Sequence, residues 1–598
     1  MNLILLTIAI PLIAGFLIFI LPKKFTNITK FLSTISILIS FIINIILFIN
    51  TEKIVNNYFM FDNLSKFILL FIGLFAVFVI IYSLKYIESV TENINMYFSY
   101  ILFTVSASYG AALANNLILL SVFWGFLGFT LYMLINTNDN ATAESSKAFI
   151  IIGATDSLMI IGIGILYYIT SSLNISSINI SLKQGPIFLP TIAFLTFVAA
   201  AFAKAGAMPF HTWIPDMSEK APIPVTAFLP ASLDKLLGIY LLARISISVF
   251  ELNSSMTFIL LLFGSITIIA AVFMALVQHD LRKLLSYHAI SQVGYMVLGI
   301  GTGNPVGIAG GLFHMLNHSI YKSNLFLISG SVKYRTNTMN MDKLGGLAKY
   351  MPITFIGAVI ASLSISGVPP FNGFVSKWMV YQGLIDMGKA GSKLWILWLV
   401  AAMFGSALTL ASFMKVIYSV FLGRSEKKWS FGDVNWTMLL PIIFLSILCV
   451  GFGVFAFAVP LKLFIIPALG EIGLFGLWNS QMATLLMLVG IALGFLIYLI
   501  GNMKNVRESD IFIGGEEIPS NKRVTGTEFY DSIRDISILD KIYKMAEKKY
   551  FDLYEMLKKF TFAITNRLRL IHSGKLVAYI LWIFFGMAVL FILLNIRG

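Results

Sequence analysis

The stretch Phe202-Ala203-Lys204-Ala205-Gly206-Ala207-Met208-Pro209-Phe210-His211 decides how the chain is read. It puts Lys204 near the end of an apolar run, just before a proline that must interrupt the helix. The run resumes through Trp213, Pro215 and Asp216 to Pro222-Ile223-Pro224, then carries an acid and a second lysine, Asp234 and Lys235. An ionisable side chain inside a membrane helix is costly and by default points to ion movement. A helix broken at depth frees backbone groups that need partners, so it lines a cavity or a water path.

Composition sets the frame for that stretch. The 598 residues are 58% hydrophobic and only 12% charged, which excludes an ordinary soluble globule. Runs of roughly 20 apolar residues predict an all-α polytopic membrane protein of about 16 transmembrane helices, several of them interrupted. The alternation of barrel strands is absent. The run from Leu3 to Leu21 is too long and too little flanked by basic residues for a cleaved signal, and reads as the first span. A single cysteine, Cys449, cannot assemble an iron–sulfur cluster, and no phosphate-binding Gly-x-x-x-x-Gly-Lys loop is present. Redox and nucleotide chemistry are therefore not expected in this chain. The net charge of +14 does not signal nucleic acid, because the basic residues are spread among membrane loops. Lys23, Lys24 and Lys30 follow the first span, Lys333, Arg335, Lys343 and Lys349 the eleventh, and Arg424, Lys427 and Lys428 the thirteenth. These odd-numbered connections belong in the cytoplasm by the positive-inside rule, with the N-terminus outside.

Ionisable residues recur along the chain at depth. The fifth span carries Trp124-Gly125 at its middle, and the sixth holds Asp156 two to three turns in. Asp156 is either a relay acid or an acid hydrogen-bonded to neighbouring helix backbones. Adjacent Asp234 and Lys235 point about 100° apart on a helix, so one pairs structurally while the other titrates. The structural role is expected of Asp234. The tenth span includes His288 beside Ser286, Tyr287, Ser291 and Gln292. In the eleventh, His314, His318 and Lys322 recur every fourth residue and share one face at roughly 6 Å intervals, a spacing that single waters bridge for proton transfer. His314 and His318 also have the spacing of a metal pair, but no third ligand stands nearby in sequence, and no metal is expected. A second break, Ser366-Gly367-Val368-Pro369-Pro370-Phe371, leaves Lys377 behind it. Two interrupted segments in corresponding positions point to paired half-units of inverted topology.

After Lys504 the chain turns polar, with Gly514-Gly515-Glu516-Glu517. Ile533, Ile536, Leu539, Ile542, Tyr543, Ala546, Tyr550, Leu553, Leu557 and Phe560 then recur at helical spacing opposite Lys541, Lys544, Lys548, Lys549, Lys558 and Lys559. This predicts one amphipathic helix of about forty residues, roughly 60 Å long, lying along the membrane surface. A final span follows Gly574. The domain division expected is 1–95 scaffold helices, 96–250 first repeat, 251–425 second repeat, 426–502 accessory helices, 503–572 linker and lateral helix, and 573–598 last helix.

Taken together, these motifs resemble the antiporter-like subunits of complex I and its relatives over most of the chain. The residues that carry the likeness are Lys204 with Trp213-Ile214-Pro215-Asp216 and Pro222-Ile223-Pro224-Val225, Asp280-Leu281-Arg282-Lys283 with Ser291-Gln292-Val293-Gly294-Tyr295-Met296, His314-Met315-Leu316-Asn317-His318 with Lys322, and Gly373-Phe374-Val375-Ser376-Lys377. The resemblance implies two inverted repeats of five helices, with the surface helix marking a distal subunit. It implies a seventh-helix proton-binding lysine at Lys204, a bridging lysine at Lys235, a central axis of His314, His318 and Lys322, and an exit lysine at Lys377. The fifth-helix glutamate usual in this family is replaced by Gly125, and Asp156 is the expected substitute. Leu229-Pro230-Ala231-Ser232-Leu233-Asp234-Lys235 and the Gly-Gly-Glu segment look more like ferredoxin-linked, membrane-bound nickel-iron hydrogenases. A ferredoxin or quinone-linked complex I relative and a multi-subunit sodium/proton antiporter stay open. The implied partners are other antiporter-like and small membrane subunits, peripheral redox subunits holding iron–sulfur clusters and a nickel-iron site, and the lipid of a prokaryotic cytoplasmic membrane.

Overall fold

Backbone groups in lipid must find partners within their own segment, and apolar runs this long satisfy that requirement as helices. The computed structural model describes residues 2–49, 53–138, 140–183, 187–423, 429–470, 472–473, 479–500, 526–572 and 574–597. The helices are α1 (Asn2–Ile20), α2 (Thr26–Ile49), α3 (Asn63–Tyr86), α4 (Ile94–Leu113), α5 (Leu117–Ile135), α6 (Thr142–Thr170) and α7 (Phe188–Ala205). Beyond the first break come α8 (Trp213–Lys220), α9 (Ile223–Phe228), α10 (Asp234–Arg244), α11 (Ser254–Leu276), α12 (Leu281–Gly301) and α13 (Pro305–Thr336). The second break separates α14 (Pro352–Ser366) from α15 (Asn372–Lys389), followed by α16 (Trp395–Ile417), α17 (Trp436–Val454), α18 (Ile466–Leu469) and α19 (Ser480–Ile500). Last are α20 (Ser537–Glu547), α21 (Leu553–Ile571) and α22 (Leu576–Arg597). Among the described residues, 12 helices are long and apolar enough to cross a membrane. With the more polar α12 and α13, the α14–α15 pair and α19, the crossings reach about sixteen, as the apolar runs predict.

Met1–Ser532 forms one compact unit and Ile533–Gly598 another. Within the first, α3 is buried along nearly its whole length, and Asp62 caps it by accepting from the Ser65 amide. The same carboxylate takes both terminal nitrogens of Arg244, at 2.6 and 2.9 Å, tying α10 to the start of α3.

The chain contains an internal repeat whose cleanest marks are hydrogen bonds. Asn116 caps α5 by accepting from Ile118 and Leu119, and Asp280 caps α12 by accepting from Arg282 and Lys283. Leu117 donates to the Leu173 carbonyl at 2.9 Å and Leu281 to that of Met339 at 3.0 Å; Ile175 donates to Asn115 at 2.8 Å and Met341 to His279 at 2.9 Å. Helices α6 and α13 both end in a left-handed residue, Ser171 (φ 54°) and Asn337 (φ 57°). The two breaks share the pattern Gly-x-x-Pro-Phe, and both helices before them stop at a left-handed glycine, Gly206 (φ 78°) and Gly367 (φ 79°). Each repeat makes an odd number of crossings, α4 to α10 and α11 to α16, so the second runs inverted relative to the first.

The C-terminal unit differs from expectation. In place of one forty-residue helix there are two, because the chain leaves α20 at Lys548, Lys549 takes φ 58°, and the Asp552 side chain caps α21 by accepting from the Tyr554 amide. An aspartate in that position starts a new helix more readily than it continues an old one. The Gly514–Glu517 segment and Arg424, Lys427 and Lys428 lie outside the described residues.

Candidate functional site

Pro209 and the left-handed Gly206 end α7 one residue beyond Ala205, so Lys204 sits in the final turn of a helix that stops inside the protein. Its side chain is 1% exposed. The ammonium lies 5.4 Å from the centre of the Trp124 ring, at a distance where the ring face attracts a cation. Asp156 on α6 acts electrostatically on Lys204, and its Oδ2 lies 3.7 Å from where a Cβ on Gly128 would stand. A Cβ on Gly125 would meet nothing within 4 Å. The acid thus leans over the glycine seam of α5, one turn from the position that lacks a carboxylate. Lys204 and Asp156 are not a contact ion pair. Lys204 Nζ and Asp156 Oδ1 have no hydrogen-bond partner among the described residues, while the Trp124 indole N–H acts on the Asp156 carboxylate without closing to a full hydrogen bond.

The link to the second repeat is α10. Asp234 and Lys235 open this helix, directly after a widened π turn at Leu229–Leu233 that contains Pro230. Lys235 donates to the carbonyl of Ala205, the last residue of the broken α7. Asp234 faces the charges of both Lys204 and Lys235, while its Oδ2 accepts no hydrogen bond. The structural role is expected of Asp234 from sequence; the member of the pair with a hydrogen-bond anchor is Lys235, because the carbonyls freed at the break need a donor.

On α13, His314, His318 and Lys322 are all fully buried. His314 Nδ1 meets Ser376 Oγ at 2.9 Å, and its Nε2 meets Gln292 Oε1 at 3.2 Å and the Tyr321 hydroxyl at 3.3 Å. Neither ring nitrogen of His318 nor the Lys322 ammonium has a hydrogen-bond partner among the described residues. Lys322 lies over Phe413 at 5.6 Å. His288 on α12 meets Ser412 Oγ at 2.7 Å through Nε2. Lys377, on α15, donates to the Ile365 carbonyl at 2.8 Å and lies 4.7 Å over the Tyr295 ring. The Lys377 bond repeats, at the second break, what Lys235 does at the first.

These groups form one electrostatic succession. Asp156 and Asp234 act on Lys204, Asp234 on Lys235, and Lys235 on Lys322 and His318. His314 feels Lys377, and His288 feels both Lys322 and Lys377. Every predicted residue falls in this series, and no group of three or more His, Cys, Asp or Glu among the described residues is arranged to hold a metal. Two further members join the series: Gln292, read from sequence only as a polar neighbour of His288, and Lys415, which the sequence did not single out. Gln292 joins α12 to His314, and Lys415 on α16 is fully buried, donating to the carbonyls of Leu276 at 2.6 Å and Gln278 at 2.9 Å. A lysine in the last turn of an apolar helix reads as an ordinary basic helix end.

Residues 114–409, which hold the groups from Trp124 to Lys377 but not Lys415, match the family described as NADH:quinone oxidoreductase/Mrp antiporter, transmembrane. One component of the Na(+)/H(+) antiporter of Alkalihalophilus pseudofirmus is 30% identical over 510 residues, 79% of this chain and 62% of that protein. A chain of an archaeal membrane-bound sulfane sulfur reductase superposes with a TM-score of 0.82 at 24% identity, over 98% of this chain and 99% of its own. The chain is an antiporter-like membrane subunit. A chain of the Mrp complex from Dietzia sp. DQ12-45-1b has the same fold as this antiporter-like subunit, with a TM-score of 0.71 at 21% identity over 78% of this chain and 97% of that one. A Na(+)/H(+) antiporter component of Staphylococcus haemolyticus is 32% identical over 420 residues. The antiporter-like subunit spans only 52% of that protein's length.

Proposed function

We propose that this chain carries H⁺ or Na⁺ across the membrane as one subunit of a membrane-bound redox complex, and performs no redox step itself. The observation that carries this reading is the series of ionisable groups within electrostatic reach of one another, part-buried at Asp156 and buried from Lys204 to Lys377. Two charges about 4 Å apart interact by roughly 4 kcal/mol at an effective dielectric of about 20, so moving one charge changes the proton's hold at the next. Lys204 takes a proton from the cytoplasm, Lys235, Lys322, His318 and His314 pass it on, and Lys377 releases it outside. Orphaned buried donors and acceptors along this line call for water, which also carries the proton. Electron transfer in partner subunits supplies the drive. The finer assignment is a ferredoxin-dependent nickel-iron hydrogenase, with iron–sulfur clusters and the nickel-iron site in peripheral partners. Overlap along 98% of the chain with a component of a respiratory complex, against 78% for the Mrp chain, supports a redox assembly.

A second reading, a multi-subunit sodium/proton antiporter without redox chemistry, is favoured by the names of the sequence relatives. Isolation from the native membrane separates the two: redox subunits co-elute in the first and none do in the second. In either case Lys204→Ala and Lys377→Ala are expected to abolish ΔpH formation in vesicles, with partner redox activity persisting in part. Undiminished pumping in both variants would overturn the pathway.

A further inference from the structure

The residue four before each matched helix cap has its carbonyl bridged by a side chain from the last helix of its repeat. In the first repeat Tyr240 of α10 donates its hydroxyl to Ala112 at 2.9 Å, four residues before Asn116. In the second, Lys415 of α16 donates to Leu276 at 2.6 Å, four residues before Asp280, and also to Gln278 at 2.9 Å. A basic side chain on free carbonyls at a helix end is ordinarily a cap. In the first half the bridging group is a tyrosine hydroxyl, with the Arg244 guanidinium donating to it at 3.2 Å from behind. In the second half a fully buried lysine holds the carbonyls directly, so the charge itself sits at the bridge.

What surrounds Lys415 gives that charge a use. One turn earlier, Ser412 meets His288 Nε2 at 2.7 Å, and Phe413 packs against the His288 ring at 4.8 Å. His288 lies within electrostatic reach of Lys322, Lys377 and Lys415 together. On its other side Lys415 touches the turn that continues into His279, whose ring meets Asp342 at 3.0 Å. That turn is bridged to Asn340, in the connection bearing Lys343 and Lys349.

We infer that Lys415 is a further proton-transfer group of the pathway, joining His288 to the turn at Val277–Asp280 and giving the second repeat its own branch to that membrane face. In each transfer the Lys415 ammonium first gives one proton to neutral His288 and then regains one, through water, from the His279–Asp342 pair at the turn, or the reverse, so its charge is restored. This inference rests on the proposed pathway, and Lys204→Ala in the same vesicles tests that pathway separately.

The test uses the intact complex in native-membrane vesicles, with ΔpH formation expressed per assembled complex. Lys415→Gln keeps an N–H donor for Leu276 but cannot carry a proton, and is expected to slow ΔpH formation about tenfold or more. Tyr240→Phe, which removes the matching bridge, is expected to leave the rate near that of the unaltered complex. Full transport in assembled Lys415→Gln would overturn the inference. Should Lys415→Gln fail to assemble, Lys415→Arg decides, since it keeps charge and bridge but does not release its proton. Slow transport in Lys415→Arg supports a transfer role, and full transport rejects it. If Lys204→Ala pumps normally, the pathway itself has failed; if only the Lys415 variants pump normally, the branch alone has.

Discussion

Asp156 and Lys322 each stand fifteen residues before the left-handed end of their helix, so the two repeats carry opposite charges at one place. Counted from the helix caps, Trp124 matches His288, and counted from the breaks, Asp216 matches Lys377. The first repeat thus places two acids and an indole where the second places two lysines and a histidine. Asp156→Asn removes the only acid of α6 that faces Lys204, and is expected to lower ΔpH formation by about tenfold or more in vesicles. Adding Gly125→Glu, where a Cβ meets nothing within 4 Å, is expected to restore part of that rate. Transport unaffected by Asp156→Asn would rule out Asp156 as the missing acid. A lone acid in an apolar run was legible from sequence; its equivalence to Lys322 was not, because the paired residues differ in type and only the caps align them. Asp62 obeys a different logic. Burial by itself raises its carboxyl, but the Arg244 hydrogen bonds and charge, with the Ser65 contacts, outweigh burial and hold it at about 2. A depressed acid stabilises the fold fully above its ordinary value near 4, and the benefit disappears as pH falls through the folded value near 2. Thermal midpoints in detergent should therefore fall between about pH 4 and 2 by an amount worth roughly 2 kcal/mol, and Arg244→Gln should remove that pH step.

At the scale of elements, the two breaks place the charges, and proline and glycine made them readable from sequence. Proline ends the helix, and glycine accepts the left-handed turn that lets the chain restart at a new angle. The freed carbonyls of Ala205 and Ile365 then recruit Lys235 and Lys377, a consequence that spacing alone did not reveal. A Cβ on Gly206 would come within 2.0 Å of Ile214 Cδ1 and 3.2 Å of Lys235 Nζ, at a φ of 78°. Gly206→Ala is therefore expected to cost about 1–2 kcal/mol from the backbone conformation alone, and more from the clash. A lowered thermal midpoint together with slowed transport checks this, and an unchanged midpoint would show that the break tolerates a side chain. The surface helix failed as a single element for the opposite reason. Its apolar period continues through residues 548–552, so the hydrophobic pattern gave no warning of an aspartate cap at Asp552.

At the scale of the whole molecule, the two compact units differ in how they satisfy their apolar surface. In Met1–Ser532 the helices that hold the charge axis are covered by protein: α12 and α13 are buried almost end to end. In Ile533–Gly598, α22 has Leu581, Ile583, Phe584, Phe585, Leu590 and Phe591 all more than half exposed, while α20 and α21 pair exposed apolar residues with lysines. An apolar span with basic amphipathic helices before it suits lipid and neighbouring subunits more than a closed core. None of the residues in the charge axis lies in this unit. Removing residues 533–598 is therefore expected to reduce the yield of intact complex several-fold while leaving ΔpH formation per recovered complex near normal. Quantitative co-purification with the partner subunits measures the first quantity, and vesicle transport the second. A truncated chain that assembles fully but pumps poorly would place part of the transport machinery in the C-terminal unit, and the pathway would then have to extend beyond Lys377 and Lys415.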